Sequence, residues 1–209
     1  PNIIQPWQGF WVHANAPGAS VTIPVSSGWQ AAPSKLDRIA SAPSSGNWRF
    51  QISAASGDIR DTYNYAGVSS ESIDGYDNAD VYELTSPAPS YIMLYFPHPE
   101  WGDRAGNYTQ DMRSLSNHRE WRFEVKTDRD GRQIELTWPS ISSVPEGYEL
   151  KIVDVDGGGK EIDPRQASSY IYTSGKIRHF LLGVRKAISC DINGDGEVDV
   201  ADLAIIGRH

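Results

Sequence analysis

The stretch Trp121-Arg122-Phe123-Glu124-Val125-Lys126-Thr127-Asp128-Arg129-Asp130-Gly131-Arg132-Gln133-Ile134-Glu135-Leu136-Thr137-Trp138 decides the fold class. Trp121, Phe123 and Val125 alternate with Arg122, Glu124 and Lys126. Ile134, Leu136 and Trp138 alternate with Gln133, Glu135 and Thr137. A period of two sends successive side chains to opposite faces of an extended strand, so each run offers one apolar face to a core and one polar face to water. Between the runs, Asp128-Arg129-Asp130-Gly131 carries turn chemistry, with Gly131 free to take a positive φ. It predicts a short hairpin joining the two strands.

The same alternation recurs on either side. Trp48, Phe50 and Ile52 share a face against Arg49, Gln51 and Ser53, and Tyr148, Leu150 and Ile152 stand against Glu149, Lys151 and Val153. Tyr91 to Pro97 is the longest apolar stretch and suits a buried strand. Further strands are expected near Gln8 to Asn15, Val21 to Val25, Tyr170 to Thr173 and Ile177 to Val184. Asp154 to Gly159, with three consecutive glycines, reads as a second hairpin loop. Seven Trp, ten Tyr and five Phe beside 19 Gly and 13 Pro is the composition of many short strands joined by turns. With about ten strands and no long amphipathic helix, the expected fold is all-β, a β-sandwich or jelly roll over residues 1–187. Residues 1–32 form a candidate separate N-terminal strand segment. Trp7 and Trp11, four apart, share a face on a strand and read as core.

Two stretches lack sustained alternation. Gly57 to Pro89, rich in Asp, Ser, Tyr and Gly, and Pro97 to Arg119 read as the loop-rich end of the fold. A short helix is expected near Thr109 to Ser114. Long loops in compact domains are where ions and ligands are usually held.

Charge narrows the partners. Nineteen Lys and Arg against 27 Asp and Glu give a net charge of −8. Neutralising phosphates requires surplus cations, so an acidic chain makes a poor sequence-independent nucleic-acid binder and a poor ligand for anionic lipid, and neither partner is expected. No apolar run approaches the roughly 20 residues of a membrane-spanning helix, so membrane insertion is not expected. The single cysteine, Cys190, permits no internal disulfide. Its ordinary reading is a small half-buried hydrophobe, and a free thiol or an intermolecular link is the alternative. The first residue is Pro1 rather than Met, which points to a chain processed or excised from a longer one.

The strongest chemical signal is Asp191-Ile-Asn-Gly-Asp-Gly-Glu-Val-Asp-Val-Ala-Asp202. Oxygen ligands stand at loop positions one, three, five, nine and twelve: Asp191, Asn193, Asp195, Asp199 and Asp202. Gly196 sits where the chain must turn sharply, and Glu197 offers its backbone carbonyl. This is the spacing of an EF-hand loop, and Ca²⁺ fits it because it accepts many oxygens at flexible geometry. Position twelve is Asp rather than the longer Glu. With the following Leu203, this segment (188–209) resembles one repeat of a type I dockerin. The family pattern carries two such repeats, and one is present here. The resemblance implies a cohesin-like partner and an extracellular setting. The stretches Pro6 to Val12, Asp74 to Asp80, Tyr91 to Trp101 and Trp121 to Val125 resemble a β-sandwich module of large secreted or surface-anchored bacterial proteins, and that resemblance supplies no catalytic residues.

Two further candidate sites lie in the loop regions. Asp61, Asn64, Asp74, Asp77 and Asp80 are five oxygen donors that could hold a second Ca²⁺, against the alternative of Asx turns capping their own backbone. His98, Glu100, Trp101 and Tyr108 combine flat aromatic faces with a carboxylate, the elements of a sugar platform, against the alternative of ordinary packing. Catalytic signatures are absent from the sequence. There is no Gly-x-Ser-x-Gly elbow and no His-Glu-x-x-His, and Gly157-Gly158-Gly159-Lys160 lacks the spacing of a phosphate loop. The expectation is a non-catalytic, secreted, calcium-binding module that binds polysaccharide or a cell-surface glycan. A structural subunit assembling into a homo-polymer by strand exchange and a polysaccharide-degrading enzyme fragment are the alternatives.

Overall fold

The computed structural model describes residues 46–86 and 88–187. The expected strands before residue 46, the 1–32 segment, Trp7, Trp11, Cys190 and the whole Asp191–Asp202 loop lie outside the described residues. Eleven strands follow in order: β1 (Trp48–Ser56), β2 (Ile59–Val68), β3 (Val81–Tyr82), β4 (Ile92–His98), β5 (Gly106–Arg113), β6 (His118–Thr127), β7 (Gln133–Thr137), β8 (Tyr148–Asp154), β9 (Lys160–Ile162), β10 (Ser169–Thr173) and β11 (Ile177–Lys186). Among the described residues, helix is limited to single 3₁₀ turns at Gly102–Arg104 and Ile141–Ser143. The protein is mostly β.

Ten strands hydrogen-bond in the order β10-β7-β1-β2-β5-β4-β6-β11-β8-β9, with β3 added on β5. All pairs are antiparallel except β2 with β5. The sheet curls until its two ends meet through side chains. Lys160 Nζ of β9 sits 5.3 Å from the ring centre of Tyr170 on β10, and the Tyr170 hydroxyl donates to Asp154 Oδ2 at 2.8 Å.

The apolar faces expected from alternation turn into this interior. Trp121, Phe123 and Val125 are buried while Arg122 and Lys126 are exposed. Trp48 packs edge-on against Trp121 at 5.9 Å and against Tyr148 at 5.6 Å. Phe123 stacks on Phe180 at 5.0 Å. Burying each such ring stabilises the fold by roughly 1.5–3 kcal/mol. β4 is buried along nearly its whole length, as a continuous apolar run requires.

The Asp154–Gly159 hairpin forms between β8 and β9, and its glycines have separate reasons. Gly158 and Gly159 take φ of +75°. Gly157 instead lies against the Asp154 carboxylate, where an added Cβ would stand 2.5 Å from Oδ2. Asp154 is fully buried and fully partnered. It accepts from Arg178 Nε at 2.8 Å and Nη2 at 2.7 Å, from Tyr170, and from the Gly157 N–H at 2.8 Å.

Three expectations are corrected. Asp128–Gly131 does reverse the chain, with Gly131 at φ +71°, but β6 and β7 do not form a hairpin. β6 lies between β4 and β11, and β7 lies between β1 and β10. Turn chemistry fixes a reversal, while the partner is chosen by where each apolar face is buried. The expected helix near Thr109 to Ser114 is instead strand β5, whose buried Gln110 and Asp111 hide its alternation. Gly57 to Pro89 is not strand-poor at its start, because β2 occupies ten residues of it.

Candidate functional site: a charged cleft over β6 and β11

Alternation on β6 and β11 turns Glu120, Arg122 and Glu124 outward beside His179 and Leu181, with Glu124 paired to His179 and Arg122 to Leu181. The end of β4 with the turn after it (Pro97 to Glu100) rises on one side. The start of the β8–β9 loop (Val155, Asp156) rises on the other. Together they enclose a cleft of about 780 Å³, within the range of small-molecule sites.

One wall is an ionic cluster. His98 donates from Nε2 to Asp111 Oδ2 at 2.9 Å and from Nδ1 to Glu100 Oε1 at 2.7 Å. Arg113 donates to the same Asp111 from Nε at 3.0 Å and Nη2 at 2.8 Å. Asp111 is 1% exposed and His98 4%. Burial opposes the imidazolium, but the hydrogen bonds to Asp111 and Glu100 outweigh it and raise the His98 pKa. Burial likewise opposes the Asp111 carboxylate, and the bonds from His98 and Arg113 outweigh it and hold its pKa low. Both ring nitrogens of His98 face carboxylates, which favours the protonated ring.

The opposite wall is a second carboxylate–histidine group. Asp156 Oδ2 accepts from His179 Nδ1 at 2.7 Å and from its backbone N–H at 2.9 Å. His179 Nε2 lies 3.7 Å from Glu124, and Glu124 Oε2 accepts from the Tyr95 hydroxyl at 2.7 Å. The His179 bonds hold the Asp156 pKa below the usual carboxylate range. The cleft therefore presents acceptors (Glu100, Glu120, Glu124, Asp156) and donors (Arg113, Arg122, His179) around the apolar Pro97, Val155 and Leu181.

The four residues expected to form a sugar platform do come together, but not as an open one. Trp101 stacks flat on His98 with ring centres 3.6 Å apart and meets Tyr108 edge-on at 4.7 Å. Tyr108 is fully buried and stacked by Tyr82 at 4.4 Å. The aromatic faces pack on one another, Trp101 stays half-buried, and His98 and Glu100 line the cleft.

The five residues of the expected second cation site are not gathered at one point. Asp74 accepts from the Ser114 hydroxyl at 2.6 Å and from Arg119 at 2.9 Å, bonds that lower its pKa, the Ser114 hydroxyl foremost. Asp77 caps the Ile73 and Ala79 N–H groups. Asp80 accepts from the Asp77 and Met112 N–H groups, and burial pushes its pKa up to about 6. These three behave as Asx turns and backbone braces. Asp61 and Asn64 lie on β2. Among the described residues, no group of three or more His, Cys, Asp or Glu is placed to hold a metal ion.

Sequence reasoning missed Asp111, Arg113, Glu124, Asp156 and His179, which reach the cleft from four separate segments. Tyr108-Thr109-Gln110-Asp111-Met112 reads as polar and gave no local signal. Comparison with protein-family models, curated proteins and solved structures finds no match to this chain.

Proposed function

We propose that this chain is a non-catalytic, calcium-binding β module of an extracellular or cell-surface protein, and that the cleft over β6 and β11 takes a carbohydrate. The observation that carries the reading is the mixed lining of the cleft. Carboxylates and guanidinium groups of both signs stand within one groove beside apolar side chains. Sugar hydroxyls both donate and accept, so they are matched by paired acceptors and donors, and the C–H faces of a pyranose are matched by Pro97, Val155 and Leu181. A single-sign lining would suit an ionic polymer instead. The non-catalytic part of the reading is supported by the sequence, which carries neither a Gly-x-Ser-x-Gly elbow nor a His-Glu-x-x-His motif. A β-sandwich arrangement belongs to the same proposal. It is supported by β4, whose first half pairs with β6 and second half with β5, as a strand passing from one layer to another would do. Calcium binding is supported by the Asp191–Asp202 spacing alone.

The test is a glycan array probed with the full chain, followed by calorimetry on the best ligand. Arg122 is exposed and makes no contact in the core, so Arg122→Ala should preserve folding and weaken binding by at least about tenfold, the loss of one charged hydrogen bond. Absence of any polysaccharide ligand, or an unchanged affinity in Arg122→Ala, refutes the cleft assignment.

A further inference from the structure

Of the three glycines that the described strands carry, Gly67, Gly106 and Gly183, two are fixed by close packing. An added Cβ at Gly67 would stand 2.5 Å from the Trp48 carbonyl oxygen, and one at Gly106 would stand 2.8 Å from the Tyr82 ring. Gly183 of β11 has no such reason. It lies in mid-strand with both edges paired, to Glu120 of β6 and to Lys151 of β8, and neither ladder slips in register there. Its φ lies outside the left-handed region, and an added Cβ would meet nothing nearer than the Lys151 carbonyl oxygen at 3.9 Å. A glycine inside a strand costs stability, because it orders a flexible backbone and packs no side chain. Leu182 and Val184 are buried, so the bare position faces outward. A strand glycine that the fold does not require marks a place where something approaches the backbone closely.

That bare position joins two hollows. On one side of it, β6, β11, β8 and β9 enclose a second cavity of about 730 Å³, lined among others by His118, Glu149, Lys151, Glu161 and Arg185. The charged cleft reaches the same ladder from the other side, at Glu120, Arg122 and Leu181. Glu120 pairs with Gly183 and Arg122 with Leu181, so the two hollows adjoin along the β6–β11 ladder, and at their junction β11 raises no side chain. From His179 to Arg185 the combined trough runs about 20 Å at the rise of a strand, longer than any single sugar ring.

Its charges select the partner. The cleft contributes four carboxylates and two guanidinium groups. The second hollow contributes three carboxylates and two cations, Lys151 and Arg185. The surplus of carboxylates repels an acidic polymer. Lys151 is tied to Glu161 at 3.0 Å and Arg185 to Glu149 at 2.7 Å, exposed pairs that keep lone pairs and protons free for hydroxyl groups. Beside Gly183, the Glu120 and Arg122 side chains are exposed and form no ion pair among the described residues, which leaves one acceptor and one donor uncommitted.

We propose that the two hollows are one trough for a neutral, linear polysaccharide, with the sugar chain passing over Gly183 and its units seated on both sides. The inference rests on the carbohydrate reading of the cleft and adds the length and charge of the ligand.

The test titrates the full chain by calorimetry with cellohexaose, xylohexaose and mannohexaose, with the corresponding disaccharides, and with hexagalacturonate. A neutral hexasaccharide should bind at least about tenfold tighter than its disaccharide, because the added units reach the second hollow. Gly183→Val should abolish that gain and leave the disaccharide affinity unchanged. Its Tm should hold or rise, because a β-branched residue favours the strand. Gly183→Ala, with its smaller side chain, should move both readouts in the same directions. Equal affinity for both lengths, a gain that survives both Gly183 variants, or a preference for hexagalacturonate overturns the trough and leaves the cleft reading standing. A fall in Tm in both variants shows that the fold itself requires the glycine, and overturns the trough as well. So does an absence of binding by all of these sugars, and the glycan array then decides the cleft alone.

Discussion

Asp111→Asn isolates the ionic cluster beneath the cleft. The wild-type carboxylate is 1% exposed and accepts three hydrogen bonds, one from His98 and two from Arg113. The amide keeps the shape but loses the charge, and it must aim its own NH₂ at a guanidinium or an imidazolium. Removing one partner from a buried ion pair typically costs about 3–5 kcal/mol. Glu100 still holds His98, and Arg113 is partly exposed with a further bond to the Glu120 carbonyl at 2.8 Å. The expected loss is therefore at the low end, about 2–4 kcal/mol, or a fall in Tm of about 5–12 °C for a chain of this size. Urea unfolding at pH 6 and pH 8.5 measures it, and the two pH values add a signature. The folded-state pKa of His98 is raised, so its stabilisation is fully present below the unfolded histidine value near 6.5 and fades as pH rises through the folded pKa. In Asp111→Asn that fading should shrink, because the buried one of the two carboxylates that hold His98 is gone. A loss under about 1 kcal/mol, or an unchanged slope between the two pH values, refutes this account of the cluster.

Three other outcomes follow from the geometry. Gly157→Ala should cost more stability than Gly158→Ala, although only Gly158 has a positive φ, because the new methyl would meet the Asp154–Arg178 pair at 2.5 and 2.8 Å; paired thermal melts decide the order. Phe123→Ala, which removes a fully buried ring stacked on Phe180, should lower the unfolding free energy by about 3–5 kcal/mol, read from denaturant midpoints. Chelation should lower the Tm of the intact chain, since saturation at a hundred times Kd adds about 2.7 kcal/mol, and Asp195→Ala should remove part of that dependence; a Tm indifferent to both chelator and excess Ca²⁺ contradicts calcium binding altogether.

Much of the fold was legible because its carriers are local. Trp121 to Val125 and Ile134 to Trp138 alternate as strands must, and both lie on strands with the expected faces buried. What the sequence hid was hidden for physical reasons. β5 buries Gln110 and Asp111, which breaks the pattern by which a half-buried strand is recognised, and a bulge in β2 shifts the parity between Asp61 and Asn64. The partners of β6 and β7 depend on burial many residues away rather than on the turn that joins them. His98, Glu100, Trp101 and Tyr108 lie together, because three of them follow within a single turn of chain and Tyr108 pairs across from Phe96, but only His98 and Glu100 line the cleft. Their chemistry was not legible, because Asp111, which faces the second His98 nitrogen, and Tyr82, which covers the Tyr108 ring, become neighbours only through the β4–β5 and β3–β5 pairings.

The central claim is that the groove over β6 and β11 recognises a carbohydrate. Its most direct measurement is a titration of the isotope-labelled full chain with soluble oligosaccharides, following backbone and histidine resonances by nuclear magnetic resonance. The account predicts saturable shifts centred on Arg122, Glu124, Asp156 and His179, with the β7–β10 edge of the sheet unmoved. Shifts centred on that edge, or none with any sugar tested at millimolar concentration, would contradict it.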